Sequence, residues 1–163
     1  MTATDLPTVH IATDHAGMEL SAHLVSHLRS TGYNVVDHGP ATYDAQDDYP
    51  SFCINAALAV VADQAAGRNA LGIVLGGSGN GEQIAANKVK GVRAALAWNH
   101  STAKLAREHN DANVVAVGGR QHSVEEATSI IEAFLAEPFS HDERHVRRIG
   151  KIAAYERTGE VID

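Results

Sequence analysis

The sequence predicts an α/β protein in which a parallel sheet of about five strands is covered by helices on both faces, a three-layer αβα sandwich. Two observations lead to this prediction. Short apolar runs alternate with helix-compatible segments along the chain, and no repeat, low-complexity tract or linker interrupts the alternation. The length of 163 residues suits one domain, large enough to bury about 70% of its unfolded surface. We therefore expect residues 1–163 to form a single domain.

The first half of the chain supplies three strands and two helices. Its strands are the apolar runs that begin at Val9, at Tyr33 after the turn residue Gly32, and at Leu71. Between them lie segments whose apolar residues recur at i, i+3 and i+4, as on the buried face of a helix. The predicted elements are strand 9–13, helix 17–29, strand 33–37, helix 48–64 and strand 71–75.

The second half adds two strands and three helices. Capping-box patterns that begin at Ser123 and at Ser140 open the last two helices, and Pro138 separates them. The predicted elements are strand 93–97, helix 101–109, strand 113–117, helix 123–135 and helix 140–157. We expect the strand order 2-1-3-4-5, which makes strands 1 and 3 neighbours.

Composition excludes several classes of function. The formal net charge of −7, with basic residues concentrated only near the C-terminus, argues against a general nucleic-acid surface. No apolar stretch reaches the ~18 residues of a membrane span, and the N-terminus lacks a signal-peptide pattern. The single cysteine, Cys53, cannot form an internal disulfide, and its place in an amphipathic pattern predicts a core residue. We expect a soluble, cytoplasmic protein with neither nucleic-acid nor membrane partners.

The most informative segment is the glycine-rich turn at residues 76–83, which follows the third strand. Its glycines leave backbone N–H groups unshielded, and Ser78 can cap the helix that follows, whose start attracts anions. Glu82 lies just inside that start. Amide donors beside an ionised carboxylate are what a site needs in order to remove a proton and hold the resulting oxyanion. A plain strand-to-helix turn is the alternative for such a cluster.

Known glycine motifs do not fit this segment. A phosphate loop would end in Gly-Lys-Ser/Thr, whereas here Glu82 follows Gly81. The dinucleotide fingerprint counted from Gly77 fails because Glu82 stands at its last glycine position. The nucleophile elbow fails because Asn80 stands where its last glycine should be. The segment therefore argues against a nucleotide-binding regulatory domain.

A second polar cluster follows the first strand. Asp14 and His15 end that strand, and ligands of open parallel sheets bind beyond the C-terminal ends of the strands, where the strand order reverses. With strands 1 and 3 as neighbours, this pair and the glycine turn face one crevice. Asp is also a common helix N-cap, so Asp14 alone is weak evidence. Two independent clusters that converge on one crevice are stronger evidence.

Basic residues concentrate on the C-terminal helix. Arg144 and Arg148 are four apart and share one helical face. Arginine binds phosphate bidentately, which favours a small phosphorylated substrate, although a solvated charged face is the alternative. The ten histidines show no metal-binding spacing, so no metal is predicted. His109 ends a helix, where the helix dipole alone also favours histidine.

Together these segments resemble one known family. Its pattern is carried, in order, by residues 13–17 (TDHAG), 48–50 (DYP), 76–82 (GGSGNGE), 107–110 (REHN) and 118–120 (GGR). From about residue 9 to residue 157, the chain resembles the ribose-5-phosphate isomerase B family, which also includes galactose-6-phosphate isomerase subunits. The resemblance implies a Rossmann-like fold, a homodimer, and interconversion of ribose 5-phosphate and ribulose 5-phosphate in the pentose phosphate pathway, without metal or cofactor.

The resemblance also implies a role for each candidate residue. Glu82 would be the base that moves a proton between C1 and C2 through an enediolate, and His109 would be the acid that opens the sugar ring. Many members carry a cysteine base where this chain has Ser78, so Ser78 becomes a hydrogen-bonding helper, as in the serine branch of the family. The implied substrate-binding residues are Asp14, His15, Gly77, Ser78, Gly79, Asn80, Gly81, Asn110, Arg120, Arg144 and Arg148.

Two other functions are compatible with the same residues. An isomerase of a six-carbon sugar phosphate, such as allose 6-phosphate or galactose 6-phosphate, needs a pocket only one carbon longer. A non-catalytic sugar-phosphate sensor would keep the pocket, but it would have no use for Glu82 and His109.

Topology separates His109 from the other candidates. A helix between two parallel strands runs back toward the N-terminal edge of the sheet, whereas Asp14, Ser78 and Glu82 follow the C-terminal ends of their strands. A five-residue strand spans about 17 Å, too far for an imidazole to cross. If His109 opens the sugar ring, it does so in the site of a neighbouring subunit. We therefore expect a symmetric dimer with two shared active sites.

Overall fold

The structure, a computed structural model, describes residues 6–163. Within this range five parallel strands form one sheet: β1 (Thr8–Thr13), β2 (Val35–Asp37), β3 (Ala70–Gly76), β4 (Ala94–Leu96) and β5 (Val114–Gly118). The helices are α1 (Met18–Ser30), α2 (Tyr49–Ala65), α3 (Asn80–Ala86), α4 (His100–Asn110), α5 (Val124–Ala136) and α6 (Glu143–Thr158), and a short 3₁₀ turn covers His15–Gly17. The alternation of strands and helices confirms the predicted α/β class.

The strands lie in the order β2-β1-β3-β5-β4. β1 and β3 are neighbours as predicted, with Thr13 opposite Leu75 at their C-terminal ends. The predicted order 2-1-3-4-5 is wrong, because β5 rather than β4 pairs with β3. A central parallel strand is covered on both faces, and all of β5 is buried, whereas β4 is short and partly exposed. The longer, fully buried strand therefore lies inside the sheet, and the short strand forms its edge.

Helices cover both faces of the sheet, and the side chains of β3 alternate between the two layers. Ile73 and Leu75 belong to a core with α1, α4 and α5 that includes the buried Phe134. Val74 belongs to the opposite core with α2 and α3. Cys53 is fully buried in that second core, which confirms the prediction that it is a core residue. Among residues 6–163, no helix combines the length and the apolar character needed to cross a bilayer.

One of the two predicted capping boxes is present. At α5, Ser123 Oγ accepts from the Glu126 backbone N, and Glu126 Oε2 accepts from the Ser123 backbone N, each at 3.1 Å. At α6 the predicted box is wrong, and the helix begins at Glu143 rather than near residue 140. The hydroxyl of Ser140 instead lies 2.7 Å from His145 Nδ1. The same hydroxyl accepts from the backbone N of Asp142, which is the N-cap of α6, and no side chain caps the helix.

Candidate active site

The polar clusters predicted at the ends of β1 and β3 lie at one edge of the sheet. Asp14 follows β1 directly, and the glycine turn follows β3. The segment after β5 closes on that turn through two backbone hydrogen bonds, from Gly119 N to Gly76 O at 2.7 Å and from Arg120 N to Gly77 O at 3.1 Å. The candidate site is therefore built on the C-terminal ends of β1, β3 and β5.

Close packing of the backbone explains two glycines of the turn. Gly79 has a φ of 82°, and a Cβ there would lie 3.1 Å from the Val117 carbonyl carbon and 3.2 Å from the Gly118 N. A Cβ on Gly76 would overlap the carboxylate of Glu82. The carboxylate thus lies directly against the backbone at the end of β3, in the space that a side chain at position 76 would fill.

Ser78 lies one residue before the cap of α3. Gly79 is the N-cap and no side chain caps the helix, so Ser78 is not the cap that the sequence suggested. Its Oγ does accept a hydrogen bond from the Asn80 backbone N at 3.2 Å. On the other side of the turn, the Tyr49 hydroxyl oxygen would lie 2.5 Å from a Cβ on Gly81. The turn is held between α2 and the end of β5.

Glu82 is a buried carboxylate in the first turn of α3, with only 4% of its surface exposed. Burial raises the pKa of Glu82, its own backbone N–H lowers it by a smaller amount, and the negative charge of Asp14 raises it again. A carboxylate with a raised pKa is a stronger base than an exposed glutamate. The position therefore suits the removal of a proton from carbon.

Cys53 lies near the same carboxylates but does not offer a nucleophile. Burial raises the pKa of the Cys53 thiol to about 12, and the charges of Glu82 and Asp14 also raise it. The thiol therefore stays protonated at neutral pH, where only the thiolate would be reactive.

Hydrogen bonds fix Asp14 and His15 at the end of β1. Asp14 Oδ1 accepts from the Ala16 backbone N at 2.9 Å and so caps the 3₁₀ turn. His15 Nδ1 lies 2.6 Å from Asp47 Oδ1, which also accepts from the His15 backbone N at 3.1 Å. Potential ligand atoms of Asp14, His15 and Asp47 lie within 4.8 Å of one another, a grouping that could hold a metal ion. Sequence spacing did not reveal it, because its members come from two distant segments.

His109 and Asn110 lie toward the opposite edge of the sheet. They end α4, and β5 then begins at Val114, opposite Gly72, the third residue of β3. The whole length of β5 separates this helix end from the glycine turn, a span of about 17 Å. His109 ends the helix before β5, as the topology predicted, and its role in the site of a neighbouring subunit stays a prediction.

The arginines of α6 accompany His109 rather than the glycine turn. His145 lies between Arg144 and Arg148 in the sequence of α6, and its side chain is buried. Its ring packs on the ring of His109, with 4.3 Å between the centroids. Burial lowers the pKa of His145, and the charges of His109 and Arg144 lower it further. Both arginines are exposed. The start of α6 and the end of α4 thus form one basic, histidine-containing surface.

The candidates therefore fall into two groups. The glycine-turn group, at the C-terminal edge, consists of Asp14, His15, Gly77, Ser78, Gly79, Asn80, Gly81, Glu82 and Arg120. The helix-end group consists of His109, Asn110, Arg144 and Arg148.

The sequence did not point to three further residues that contact members of these groups. Tyr49 could have been predicted, because it belongs to the Asp-Tyr-Pro segment that carries part of the family resemblance. His145 could also have been predicted, because it lies between the candidate residues Arg144 and Arg148. Asp47 gave no such signal. It is one of several acidic residues in an irregular loop, and no periodicity indicates which of them turns inward.

Known proteins resemble this chain over nearly its whole length. Residues 9–152 match the model of the family described as Ribose/Galactose Isomerase. Ribose-5-phosphate isomerase B of Mycobacterium tuberculosis is 56% identical over 152 residues, which are 93% of this chain and 91% of that protein. Ribose-5-phosphate isomerase B of Escherichia coli is 38% identical and covers 88% of this chain and 93% of its own length.

Solved structures agree with these relatives. Ribose-5-phosphate isomerase B of Clostridium thermocellum superposes with a TM-score of 0.87 at 37% identity, over 94% of this chain and 99% of that chain. The Mycoplasma genitalium ribose-5-phosphate isomerase B with bound ribulose-5-phosphate gives a TM-score of 0.85 at 42% identity, over 93% and 97% of the two chains. The resemblance carried by the sequence motifs is confirmed, and the chain belongs to the Ribose/Galactose Isomerase family.

Proposed function

We propose that this protein interconverts ribose 5-phosphate and ribulose 5-phosphate by proton transfer between C1 and C2. One observation carries the proposal: Glu82 is a buried carboxylate of raised pKa beside the backbone amides of a glycine turn. The relatives named ribose-5-phosphate isomerase B, and the Mycoplasma genitalium structure with bound ribulose-5-phosphate, support the choice of substrate.

Glu82 is the proposed base of the reaction. In the open-chain aldose it takes the proton from C2, the electron pair forms the C1–C2 double bond, and the C1 oxygen becomes anionic. A hydroxyl proton then moves from O2 to O1, the C2 carbonyl forms, and C1 receives the proton that Glu82 held. The amides of Gly77 to Gly81 stabilise the anionic oxygen, with Ser78 as a hydrogen-bonding helper. Oxidation of C2 and reduction of C1 balance within one molecule, so the reaction as written needs no metal and no cofactor.

The helix-end group supplies the remaining roles from a second subunit. We propose that His109 donates the proton that opens the furanose ring, while Asn110, Arg144 and Arg148 hold sugar and phosphate together with Arg120. Asp14 and His15 bind the sugar from the side of Glu82. The separation of the two groups by the length of β5 supports a homodimer in which each site takes the glycine-turn group of one chain and the helix-end group of the other.

An apolar surface supports the same dimer. Beside the edge strand β4, a cleft of about 680 Å³ separates α3 from α6. Ile152 and Tyr155 of α6 line this cleft and are each more than half exposed. Exposed apolar residues grouped beside an unpaired strand edge are typical of a surface that another chain covers.

The substrate assignment is tested by comparing kcat/KM for ribose 5-phosphate, allose 6-phosphate and galactose 6-phosphate. We expect a preference of about 10-fold or more for ribose 5-phosphate, because one additional carbon must be accommodated in a pocket of fixed length. In D2O the ribulose 5-phosphate formed should carry deuterium at C1, since an enediolate exchanges its proton with solvent. Full activity after dialysis against EDTA should accompany these results. A preference for either six-carbon sugar would select the alternative isomerase.

The sensor hypothesis makes the opposite prediction. A folded protein that binds ribose 5-phosphate but turns over none of the three sugars would be a non-catalytic sensor.

We also propose that the enzyme serves the pentose phosphate pathway in the cytoplasm, where phosphorylated pentoses are formed and consumed.

A further inference from the structure

We propose that Asp47 is a positioning residue for His15, which it holds in the tautomer with hydrogen on Nδ1, so that Nε2 is the nitrogen available to the sugar. The inference rests on the proposed assignment of His15 to the substrate-binding residues. It concerns a loop residue that neither the motifs nor the proposed mechanism includes.

A single carboxylate oxygen holds both the backbone and the ring of His15. Asp47 Oδ1 accepts from the His15 backbone N at 3.1 Å and lies 2.6 Å from Nδ1 of the ring. The side chain of Asp47 is only 9% exposed. Its other oxygen, Oδ2, is buried without a hydrogen-bond partner among the residues that the structure describes. Both hydrogen bonds of this buried carboxylate are therefore made to His15.

The loop that carries Asp47 also holds the imidazole from a second side. Tyr43 packs against the ring of His15 edge to face, with 6.1 Å between ring centroids and 89° between the planes. Within the loop, Asp44 O accepts from Asp47 N at 3.1 Å, and Asp44 Oδ1 accepts from Gln46 N at 2.9 Å. These turns bring residues 43 and 47 to one side of the loop, and each contacts the same histidine.

The chemistry follows from which atoms can donate. A carboxylate oxygen accepts, so the hydrogen between Asp47 and His15 belongs to Nδ1. In the neutral ring Nε2 then carries a free lone pair and can accept a hydrogen bond from a sugar hydroxyl. A separation of 2.6 Å is short for a nitrogen–oxygen hydrogen bond, and hydrogen bonds to a charged acceptor are shorter than those between neutral groups. Carboxylates that orient a histidine in this way act through the histidine and do not touch the substrate themselves.

The tautomer of His15 can be measured directly in the wild-type protein. Imidazoles protonated on Nδ1 and on Nε2 give different 15N shift patterns, and a His15→Gln variant identifies the signals of His15. We expect the Nδ1–H pattern in wild type and its loss in Asp47→Asn, whose amide can donate to Nδ1. Asp44→Asn, the same chemical change in the same loop, should leave the pattern unchanged. The Nε2–H pattern in wild type, or a ring that carries hydrogen on both nitrogens, would overturn the proposal, whether or not the protein is an isomerase.

Kinetics test whether Asp47 acts through His15. Asp47→Asn should lower kcat/KM for ribose 5-phosphate by about 10–100-fold, as is usual when the partner of a functional histidine is lost. The same substitution in a His15→Gln background should change kcat/KM by less than about 2-fold, because the residue through which it acts is already gone. A full additional loss in that background would show that Asp47 acts on the substrate or on the fold, and would overturn the positioning role.

Discussion

At the scale of single residues, the candidate site places an ionisable group where ionisation is unfavourable. Glu82 is buried against the backbone of Gly76, and the negative charge of Asp14 lies near enough to affect its pKa. The same burial that makes Glu82 a stronger base makes its charged form costly in the folded protein. Activity and stability therefore depend on Glu82 in opposite directions, and each can be measured.

Replacement of Glu82 by Gln should abolish most of the activity. The change keeps the size of the side chain but removes the proton acceptor, and loss of a general base costs about 10²–10⁴-fold in rate. We expect kcat to fall by this factor while KM for ribose 5-phosphate changes little. Ser78→Ala should have a milder effect, because the backbone amides of the turn persist. A larger loss in the serine variant than in the glutamate variant would reverse the two roles.

The same replacement should stabilise the folded protein at neutral pH. The pKa of Glu82 is higher in the folded than in the unfolded chain, so above the folded pKa the buried charge destabilises the fold. As the pH falls through that pKa, the wild type recovers the lost stability, and the recovery is complete below the unfolded pKa. Glu82→Gln resembles the protonated side chain at every pH.

Thermal unfolding measured from pH 7 to pH 4 checks this sign. Glu82→Gln should raise Tm at pH 7, and the difference from wild type should shrink as the solution is acidified. Glu19→Gln is the matched control, because Glu19 also lies in the first turn of a helix but is exposed. It should show no such increase. A Tm for Glu82→Gln below that of wild type at pH 7 would contradict the burial argument.

At the scale of helices and strands, the sequence predicted the elements better than their order. The apolar runs located every strand, and burial on both faces explains the continuous apolar stretches of β1, β3 and β5. The alternation did not show which of β4 and β5 lies inside the sheet. The three valines of β5, compared with the two alanines of β4, do indicate that β5 is the inner strand. Loop geometry has no comparable periodicity, so the inward turn of Asp47 could not be predicted.

The first turns of α6 provide a test of the phosphate assignment. Arg148→Ala should raise KM for ribose 5-phosphate by about 10–100-fold, since a charge-assisted contact contributes about 1.5–3 kcal/mol. It should lower kcat less, because phosphate contacts are present in the ground state and in the transition state alike.

Arg147→Ala is the control for that variant. Arg147 lies next to Arg148 in the sequence but about 100° away around the helix, and it is exposed as well. Its replacement should leave KM within about 2-fold of wild type. Added salt should weaken substrate binding in wild type and less so in Arg148→Ala. Equal KM values for the two variants would mean that the arginines form only a solvated surface.

At the scale of the whole molecule, the direction of each element divides the candidate residues between two edges of the sheet. Parallel strands place their following loops at the C-terminal edge, and each crossover helix returns the chain to the N-terminal edge. This is why the position of His109 could be predicted from the sequence, even though the order of the last two strands was wrong. In the proposed dimer, the exposed apolar residues beside β4 and on α6 form the surface that a second copy covers.

Subunit complementation tests that arrangement. Glu82→Gln and His109→Ala each remove one residue from every site of their own homodimer, so both proteins should be nearly inactive on the furanose form of ribose 5-phosphate. In a mixed dimer, one site combines the wild-type Glu82 of one chain with the wild-type His109 of the other. With free exchange about half of the dimers are mixed, and each carries one intact site of two, so about a quarter of wild-type activity should return. Mixing either variant with itself is the control. Exchange demonstrated by mass spectrometry without recovery of activity would place His109 in the site of its own chain, or outside catalysis.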